Sequence, residues 1–204
     1  MSKPVEKSFN VVLAGVGGQG VILAATILAN AAVRAGLSAR VGQTFTAAQR
    51  IGSVSAHVRL GRVIHSPLIG VGDADVILGL EFLEGLRYLN YLKRGGLLIV
   101  NTHIFPPRQI MLGQSKYPDP KEVEDIVVKR FSAKVIKVNA TEVAKSIGSS
   151  LLTNTVMLGV LSRVSGFPID HRYLVESIRE RSPSKYVELN IKAFNTGRKL
   201  IPQL

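Results

Sequence analysis

Short aliphatic runs alternate with longer amphipathic segments along most of the chain, the pattern of a sheet whose strands are joined by helices. Five runs predict buried strands, at residues 9–14, 39–43, 75–80, 97–101 and 134–138. Small and aliphatic residues recur at helical spacing in seven segments, at 20–35, 82–92, 121–131, 141–147, 153–165, 170–181 and 184–200. We therefore predict an α/β fold with a doubly wound, mostly parallel sheet, an antiparallel hairpin and C-terminal helices.

The hairpin is predicted from residues 53–60, where polar and apolar residues strictly alternate. Such alternation turns one kind of side chain to each face of a strand. The apolar face would carry Val54, Ala56, Val58 and Leu60, and the polar face Ser53, Ser55, His57 and Arg59. Gly61 and Arg62 would then turn the chain back into Val63 and Ile64 as the second strand of the hairpin. Residues 102–120 predict a loop with at most one short strand, around 109–112.

The chain is predicted to form one domain over residues 1–204, because this length suits a single core and no repeat or low-complexity linker interrupts it. Hydrophobic residues make up 46% of the sequence, enough for a packed interior. The N-terminus is polar, and glycines interrupt the first apolar stretch, so neither a signal peptide nor a membrane span is expected. These features predict a cytoplasmic protein.

The charge balance favours anionic partners. Lys and Arg number 26 against 14 Asp and Glu, a formal net charge of +12, which attracts acidic proteins or phosphorylated ligands. The basic residues are dispersed and accompany no nucleic-acid-binding motif, so nucleic-acid binding is not expected, and an RNA-associated protein is the least favoured of the functions considered. The absence of cysteine excludes disulfides, a cysteine nucleophile and an iron–sulfur cluster held by thiolates. The four histidines lack metal-ligand spacing, so no metal site is expected.

The main candidate for chemistry is a glycine-rich turn between the first strand and the first helix. Gly15, Gly17 and Gly20 satisfy the pattern G-x-G-x-x-G. The first glycine permits a tight turn, the second lets the backbone approach a ligand, and the third lets the helix pack on the strand. The helix N-terminus offers free N–H groups to an anion. We therefore predict ligand or cofactor binding at Gly15, Gly17, Gly18, Gln19 and Gly20, the alternative being a turn that only packs.

Dinucleotide binding receives little support at this turn. A dinucleotide-binding domain carries an acidic residue about twenty residues further on, where it holds the ribose hydroxyls. Arg40, Gly42 and Gln43 occupy that region. NAD is therefore disfavoured, and an NADP site that uses Arg40 is a weak alternative. The chain also lacks the G-x-x-x-x-G-K-[ST] loop of nucleotide hydrolases.

Several stretches together resemble the gamma-type subunit of 2-oxoacid:ferredoxin oxidoreductases. The first is residues 12–21, whose Gly-Gly-Gln-Gly core is more specific than G-x-G-x-x-G alone. The others are residues 48–59, then 73–76 with 81–89 and 95–101, and more weakly 190–197. Within the family, the nearest likeness is to enzymes that act on indolepyruvate or another aryl pyruvate.

The resemblance implies oxidative decarboxylation of a 2-oxoacid to an acyl-CoA, with ferredoxin as the electron acceptor. It also implies that thiamine diphosphate and iron–sulfur clusters lie on a larger partner subunit, in agreement with a chain that has no cysteine and no thiamine-binding motif. No catalytic residue is predicted here. Glu81 and Glu84 are expected to be solvated or helix N-terminal carboxylates rather than an acid–base pair. The chain alone is predicted to be inactive.

Five polar residues are predicted to face the thiamine-binding subunit or the phosphates of CoA: Gln49, Arg50, Ser53, His57 and Arg59. Gln49 and Arg50 match the family motif, and an arginine fork suits phosphate or carboxylate. The alternative for these residues is a solvated strand face and loop. The alternative for the whole chain is a stand-alone Rossmann-like nucleotide-binding module, which would bind a nucleotide tightly without a partner.

Overall fold

The computed structural model describes residues 8–45, 52–106, 113 and 116–202. Six strands in this part are β1 (Phe9–Val16), β2 (Ser38–Phe45), β3 (Ser53–Gly61), β4 (Ala74–Gly79), β5 (Leu92–Asn101) and β6 (Lys134–Val138). Seven α-helices accompany them: α1 (Val21–Arg34), α2 (Phe82–Arg87), α3 (Pro120–Phe131), α4 (Ala140–Ile147), α5 (Thr153–Leu161), α6 (His171–Arg181) and α7 (Val187–Lys199). Single 3-10 turns occur at Leu89–Tyr91, Ser150–Leu152 and Ser184–Tyr186.

The strands form one mixed sheet in the order β2-β3-β1-β4-β5-β6. Strands β1, β4, β5 and β6 are parallel, and β3 runs antiparallel to both β1 and β2. The predicted α/β fold with a mostly parallel sheet and an antiparallel hairpin is confirmed. The predicted position of the hairpin was wrong, because β3 pairs with β2 on one edge and β1 on the other, which leaves no edge for Val63 and Ile64.

Helices cover the sheet on both faces, as a doubly wound fold requires. On one face, β1 contributes Val11 and Leu13 to a core that also contains residues of α1 and α4 to α7. On the other face, Val12 belongs to a smaller core with residues of α2 and α3. The loop of residues 62–73 adds Ile69 to this second core. Strand β1 is therefore buried from both sides, which explains its uninterrupted aliphatic sequence.

Some element boundaries differ from those predicted. The helix expected at 82–92 ends at Arg87, and β5 begins at Leu92 rather than at residue 97. Leu92 is buried, so its side chain stabilises an early start of the strand, and Gly95 takes a left-handed φ of 72° within it. Asp170 caps α6 as predicted, since its side chain accepts a hydrogen bond of 2.8 Å from the Arg172 N–H. Within the described residues, no helix is long and apolar enough to cross a membrane.

The backbones of α5 and α7 approach each other at two glycines that no sequence pattern singled out. A Cβ atom on Gly197 would lie 2.0 Å from the Val156 carbonyl oxygen. A Cβ atom on Gly159 would lie 2.2 Å from the Phe194 carbonyl oxygen. Neither contact is sterically possible, and in both cases the clashing atom belongs to the backbone, so only glycine fits at this crossing.

We predict that Gly197→Ala destabilises the protein, although alanine favours a helix over glycine by about 1 kcal/mol. The added methyl group would have to push α5 and α7 apart, so we expect the free energy of unfolding to fall by at least about 2 kcal/mol. Denaturation by urea measures this change. Lys192→Ala, at an exposed position of the same helix, is the control and should change stability by less than about 0.5 kcal/mol. A Gly197→Ala protein as stable as the parent would refute the close crossing.

Candidate functional site

The carboxyl ends of the parallel strands meet at one edge of the sheet, where a cleft opens. From this edge β1 continues into α1 on one face of the sheet and β4 into α2 on the other, the kind of switch point at which α/β proteins bind ligands. We call this the strand-end cleft. It has a volume of about 240 Å³ and is lined by Gly18, Gln19, His103, Phe105, Thr141, Ser150, Leu151 and Thr153.

The glycine-rich turn is closed by the side chain of Gln19. Its backbone N–H donates to the Val16 carbonyl at 3.0 Å, and its Oε1 accepts from the Val16 N–H at 2.8 Å. A Cβ atom on Gly15 would lie 2.7 Å from this Oε1. The absence of a side chain at Gly15 therefore lets Gln19 fold back over the turn.

Two glycines of the turn, Gly18 and Gly20, have a left-handed backbone and serve different purposes. Gly18 has a φ of 95°, and apart from itself and its two chain neighbours no described residue has an atom within 4 Å of where its Cβ would be, so it leaves the described cleft wall open. Gly20 has a φ of 79°, and its Cβ would lie 2.4 Å from Asn154 Nδ2. Gly20 thus makes room for α5, and the prediction that it lets α1 pack on a strand was wrong. Asn154 Nδ2 also donates to the Gly20 carbonyl at 3.3 Å.

Within the described residues, the N-terminus of α1 adjoins the strand-end cleft without a side-chain hydrogen bond from its N-cap residue, Gly20, and its first turn holds no acidic residue. The first N–H groups of a helix lack partners within the helix and carry partial positive charge. Beside the open backbone of Gly18 they can bind an anionic oxygen, as proteins do with phosphate. Ligand binding at this turn stays a prediction, with a turn that only packs as the alternative.

Asn101 holds one wall of the cleft together, and sequence reasoning missed it. Its side chain is fully buried, and Nδ2 donates to the Leu80 carbonyl at 2.9 Å and to Thr141 Oγ1 at 2.8 Å. Its Oδ1 accepts from the Ala140 N–H at 3.1 Å. These bonds join the ends of β4 and β5 to the start of α4 and place Thr141 in the cleft. The available signal was an asparagine directly after the aliphatic residues of β5.

The carboxylates of Glu81 and Glu84 are engaged inside the protein and do not line the strand-end cleft. Glu81 caps α2 by accepting from the Glu84 N–H at 2.9 Å, which confirms its helix N-terminal role. It also accepts from the Tyr117 hydroxyl at 2.7 Å and the Phe105 N–H at 3.2 Å. Of the two alternatives expected, the helix N-terminal one is correct for both residues, since Glu84 lies in the first turn of α2 and neither side chain is solvated, with Glu81 1% and Glu84 5% exposed.

Tyr117 is the counterpart of Glu81 in this buried contact. Burial, and then the hydrogen bond to Glu81, raise the pKa of the Tyr117 phenol far above its ordinary value. The phenol therefore stays neutral and keeps its proton for Glu81. Glu84 accepts from Arg87 Nε at 3.1 Å through one oxygen. Its other oxygen, Oε2, is buried and has no hydrogen-bond partner within the described residues.

The polar face of β3 lies under the loop of residues 62–73. His57 is 4% exposed, its Nδ1 accepts from the Ile69 N–H at 3.1 Å, and its ring packs edge-on against Tyr91. Arg59 Nε donates to Asn10 Oδ1 at 3.2 Å, and its Nη1 donates to two carbonyls of the loop. These contacts hold the loop on the sheet, so a solvated face is wrong for His57. A role of these two residues toward a ligand or partner stays a prediction.

Gln49 and Arg50 lie outside the described residues, between β2 and β3. The chain leaves β2 at Phe45 and is described again from Gly52, whose carbonyl accepts a hydrogen bond of 2.9 Å from the Gly17 N–H. Ser53 follows and pairs with Val16, the last residue of β1. The chain therefore re-enters the described part beside the glycine-rich turn, two residues after Arg50.

Arg40 lies far from the turn, and the NADP alternative that used it is wrong. Strand β3 separates β2 from β1, so Arg40 pairs with Arg59, which in turn pairs with Asn10 near the start of β1. Asn10 is six residues before Val16, and six residues of strand span about 20 Å. Arg40 therefore cannot reach a phosphate bound at the glycine-rich turn.

Comparison with known proteins gives a consistent result over nearly the whole chain. The profile of the pyruvate ferredoxin/flavodoxin oxidoreductase family matches residues 10–200. Indolepyruvate oxidoreductase subunit IorB of Pyrococcus horikoshii is 41% identical over 198 residues, which cover 97% of this chain and 98% of that protein.

Two solved structures share the fold. The gamma subunit of keto/oxoacid ferredoxin oxidoreductase from Geobacter sulfurreducens has a TM-score of 0.68 and 27% identity, covering 94% of this chain and 96% of that one. The 2-oxoglutarate:ferredoxin oxidoreductase of Magnetococcus marinus, solved with 2-oxoglutarate, coenzyme A and succinyl-CoA bound, has a TM-score of 0.72 and 22% identity. It covers 97% of this chain but only 32% of the Magnetococcus chain, and at that identity the likeness concerns the fold alone.

We predict that His57 makes the protein less stable in mild acid. Burial lowers the pKa of His57 in the folded state, and its Nδ1 must be unprotonated to accept from Ile69. An unfolded histidine titrates near about 6.5. At pH values between the lowered pKa of the folded state and about 6.5, the unfolded state binds more protons than the folded state. The stability that neutral His57 contributes is therefore fully present above about pH 6.5 and is lost as the pH falls below that value.

Urea denaturation from about pH 8 to about pH 5 measures this dependence, to which one proton contributes up to about 1.4 kcal/mol per pH unit. His57→Gln should remove that contribution. His65→Gln, at an exposed position, should leave the dependence unchanged. The assignment fails if His57→Gln follows the same pH profile as the parent protein.

Proposed function

The chain belongs to the pyruvate ferredoxin/flavodoxin oxidoreductase family, and on that premise we propose which part of the enzyme's work it performs. It is a small subunit of a 2-oxoacid:ferredoxin oxidoreductase. The proposed substrate is indolepyruvate or another aryl pyruvate, which the complex oxidatively decarboxylates to an acyl-CoA with ferredoxin as acceptor. The observation that carries the substrate is the 41% identity, over 97% of this chain, to an indolepyruvate oxidoreductase subunit.

The cofactors are proposed to lie on a larger partner subunit. Iron–sulfur clusters are held mainly by cysteine thiolates, and this chain contains no cysteine. Its donor set therefore does not fit a cluster of that kind. Within the described ranges, no three His, Asp or Glu side chains come together as a metal site. Thiamine diphosphate is assigned to the partner because the chain lacks the corresponding motif.

The glycine-rich turn and the segment with Gln49 and Arg50 are proposed to face the phosphates of CoA or the thiamine-binding subunit. The uncapped N-terminus of α1 and the open backbone at Gly18 supply N–H donors and partial positive charge. The bond from Gly17 to Gly52 holds the residue three positions after Gln49 beside this turn, which supports the proposal. Since small-molecule pockets usually measure about 300–1,000 Å³, a cleft of about 240 Å³ suits one anionic group rather than the whole of CoA.

Proton transfer and bond cleavage are assigned to the partner. Glu81 is occupied by three donors, and Glu84 by Arg87. Neither lines the strand-end cleft, so neither carboxylate can reach a substrate bound there. The proposed contribution of this chain is to complete a binding surface and to position an anionic ligand. The cytoplasmic location expected from the sequence stays a prediction.

We predict that the purified chain alone shows no turnover with an aryl or alkyl 2-oxoacid when thiamine diphosphate, CoA and an electron acceptor are supplied. Addition of the larger subunit, co-purified from the native cells, should restore acyl-CoA formation. A spectrophotometric assay of acceptor reduction measures both. Turnover by the chain alone would disprove the division of labour. Tight nucleotide binding by the isolated chain, without a co-purifying partner, would favour the stand-alone nucleotide-binding module instead.

Arg50→Ala is predicted to impair the assembled enzyme while leaving the fold intact. Replacement of an arginine that serves a ligand rather than the core should change stability by less than about 0.5 kcal/mol. A lost hydrogen bond to a charged group costs about 1.5–3 kcal/mol, which corresponds to about ten- to a hundredfold in kcat/KM. The measurements are the melting temperature and the dependence of rate on 2-oxoacid and on CoA.

Arg40→Ala is the matched control for this experiment. Arg40 is exposed and lies about 20 Å of strand away from the glycine-rich turn. Its replacement removes the same charge and should leave the kinetics unchanged. If both variants lose activity equally, the effect belongs to net charge and the role of Arg50 is refuted. A fall in melting temperature that accounts for the lost rate would refute it as well.

A further inference from the structure

A second, strongly basic hollow lies at the opposite end of α5 from the strand-end cleft. Thr153 at the start of α5 lines the cleft, whereas Arg163 follows its end, and the helix spans about 13 Å. The hollow has a volume of about 600 Å³. Its lining residues are Arg163, Asn195, Arg198, Lys199, Ile201 and Pro202. We call it the basic hollow, since three of the six are cationic and none is acidic.

Both arginines of the basic hollow have unsatisfied donors. The Nε atoms of Arg163 and Arg198 are buried, and no described residue accepts a hydrogen bond from either. Buried polar groups in proteins are normally paired, so such an atom requires an explanation. Guanidinium groups are suited to bind planar or tetrahedral oxyanions through several N–H groups at once.

Helix capping does not account for these side chains. Basic residues near a helix C-terminus often hydrogen-bond the last carbonyl groups. At the end of α5, however, the backbone N–H groups of Ser162, Arg163 and Val164 already donate to those carbonyls. At the end of α7, the Leu200 N–H donates to the Gly197 carbonyl. Among the described residues, the two Nε atoms thus remain without an acceptor.

Nor does a carboxylate of the described chain neutralise the pair. Burial, and secondarily the charge of Arg163, lower the pKa of the Arg198 guanidinium. Asp170 acts on Arg198 in the opposite sense, but its oxygens already accept from Arg172 and lie 3.3 Å from His171. Two like charges therefore share the hollow, and the carboxylate that opposes them is already engaged by Arg172.

We propose that the basic hollow is a binding site for a small phosphate-bearing molecule, whose phosphate oxygens are bound by Arg163, Arg198 and Lys199. The Asn195 amide supplies a further polar group, and Ile201 with Pro202 provides an apolar surface for the organic part. The volume exceeds that of a phosphate alone and lies within the range of pockets for small molecules. The site is separate from the strand-end cleft and does not depend on the function proposed above.

Calorimetric titration of the full chain with inorganic pyrophosphate, in a phosphate-free buffer, tests this site. We expect pyrophosphate to bind saturably at one site. Each of the variants Arg163→Gln and Arg198→Gln should weaken this binding, with at least a tenfold rise in the Kd. Lys199→Gln, at an exposed position, should raise the Kd at least threefold and provides a variant that does not touch a buried side chain. Arg94→Gln is the control, because it removes one exposed charge elsewhere and should change the Kd less than twofold.

Melting temperatures separate binding from a general effect of charge. Pyrophosphate should raise the melting temperature of the parent protein more than sodium chloride does at equal ionic strength, and Arg163→Gln should lose this difference. Without ligand, Arg163→Gln should melt no lower than the parent, since it removes a repulsion. Three results would each overturn a phosphate site in the basic hollow. They are an equal rise in the Kd of all four variants, no saturable binding of pyrophosphate, and an affinity for citrate equal to that for pyrophosphate.

Discussion

Strand β1 is the element on which the rest of the structure depends. It is hydrogen-bonded to β3 on one edge and to β4 on the other, and Val11, Val12 and Leu13 are fully buried. A strand that is paired on both edges and covered on both faces cannot shift without breaking the sheet. Its carboxyl end is therefore fixed, and Gln19 folds the glycine-rich turn against Val16 at that end. The start of α1, the beginning of β3 and the strand-end cleft all take their positions from this point.

Local signals in the sequence were sufficient for most of the architecture. The aliphatic runs placed β1, β4 and β6, and the glycine-rich turn was correctly assigned between a strand and a helix. Asp170 was identified as a helix cap because capping involves neighbours along the chain. The hairpin was misplaced because strand pairing is not local. Gly61 and Arg62 look like a turn, yet β3 had already satisfied both of its edges with β1 and β2.

In the candidate site, too, features set by neighbours along the chain could be predicted, whereas contacts between distant segments could not. The turn itself could be predicted, but the wall that Asn101 builds with Thr141 could not, since the two residues are 40 positions apart. Glu81 and Tyr117 are 36 positions apart, and neither sequence context indicates a buried contact. His57 occupies the polar face of an alternating strand, which usually means exposure, until the loop around Ile69 covers it. Polar residues were misjudged wherever their partners came from a remote segment.

The two outermost strands affect how this subunit can associate with other chains. Within the part of the chain that the structure describes, strands β2 and β6 each leave one edge of the sheet unpaired, and such an edge is a template on which another strand can add and start aggregation. Arg40 on β2 and Lys134 and Lys137 on β6 are exposed there. Charged side chains, lysine above all, discourage edge-to-edge pairing. These charges therefore oppose growth of the sheet by strand addition at both of its outer strands.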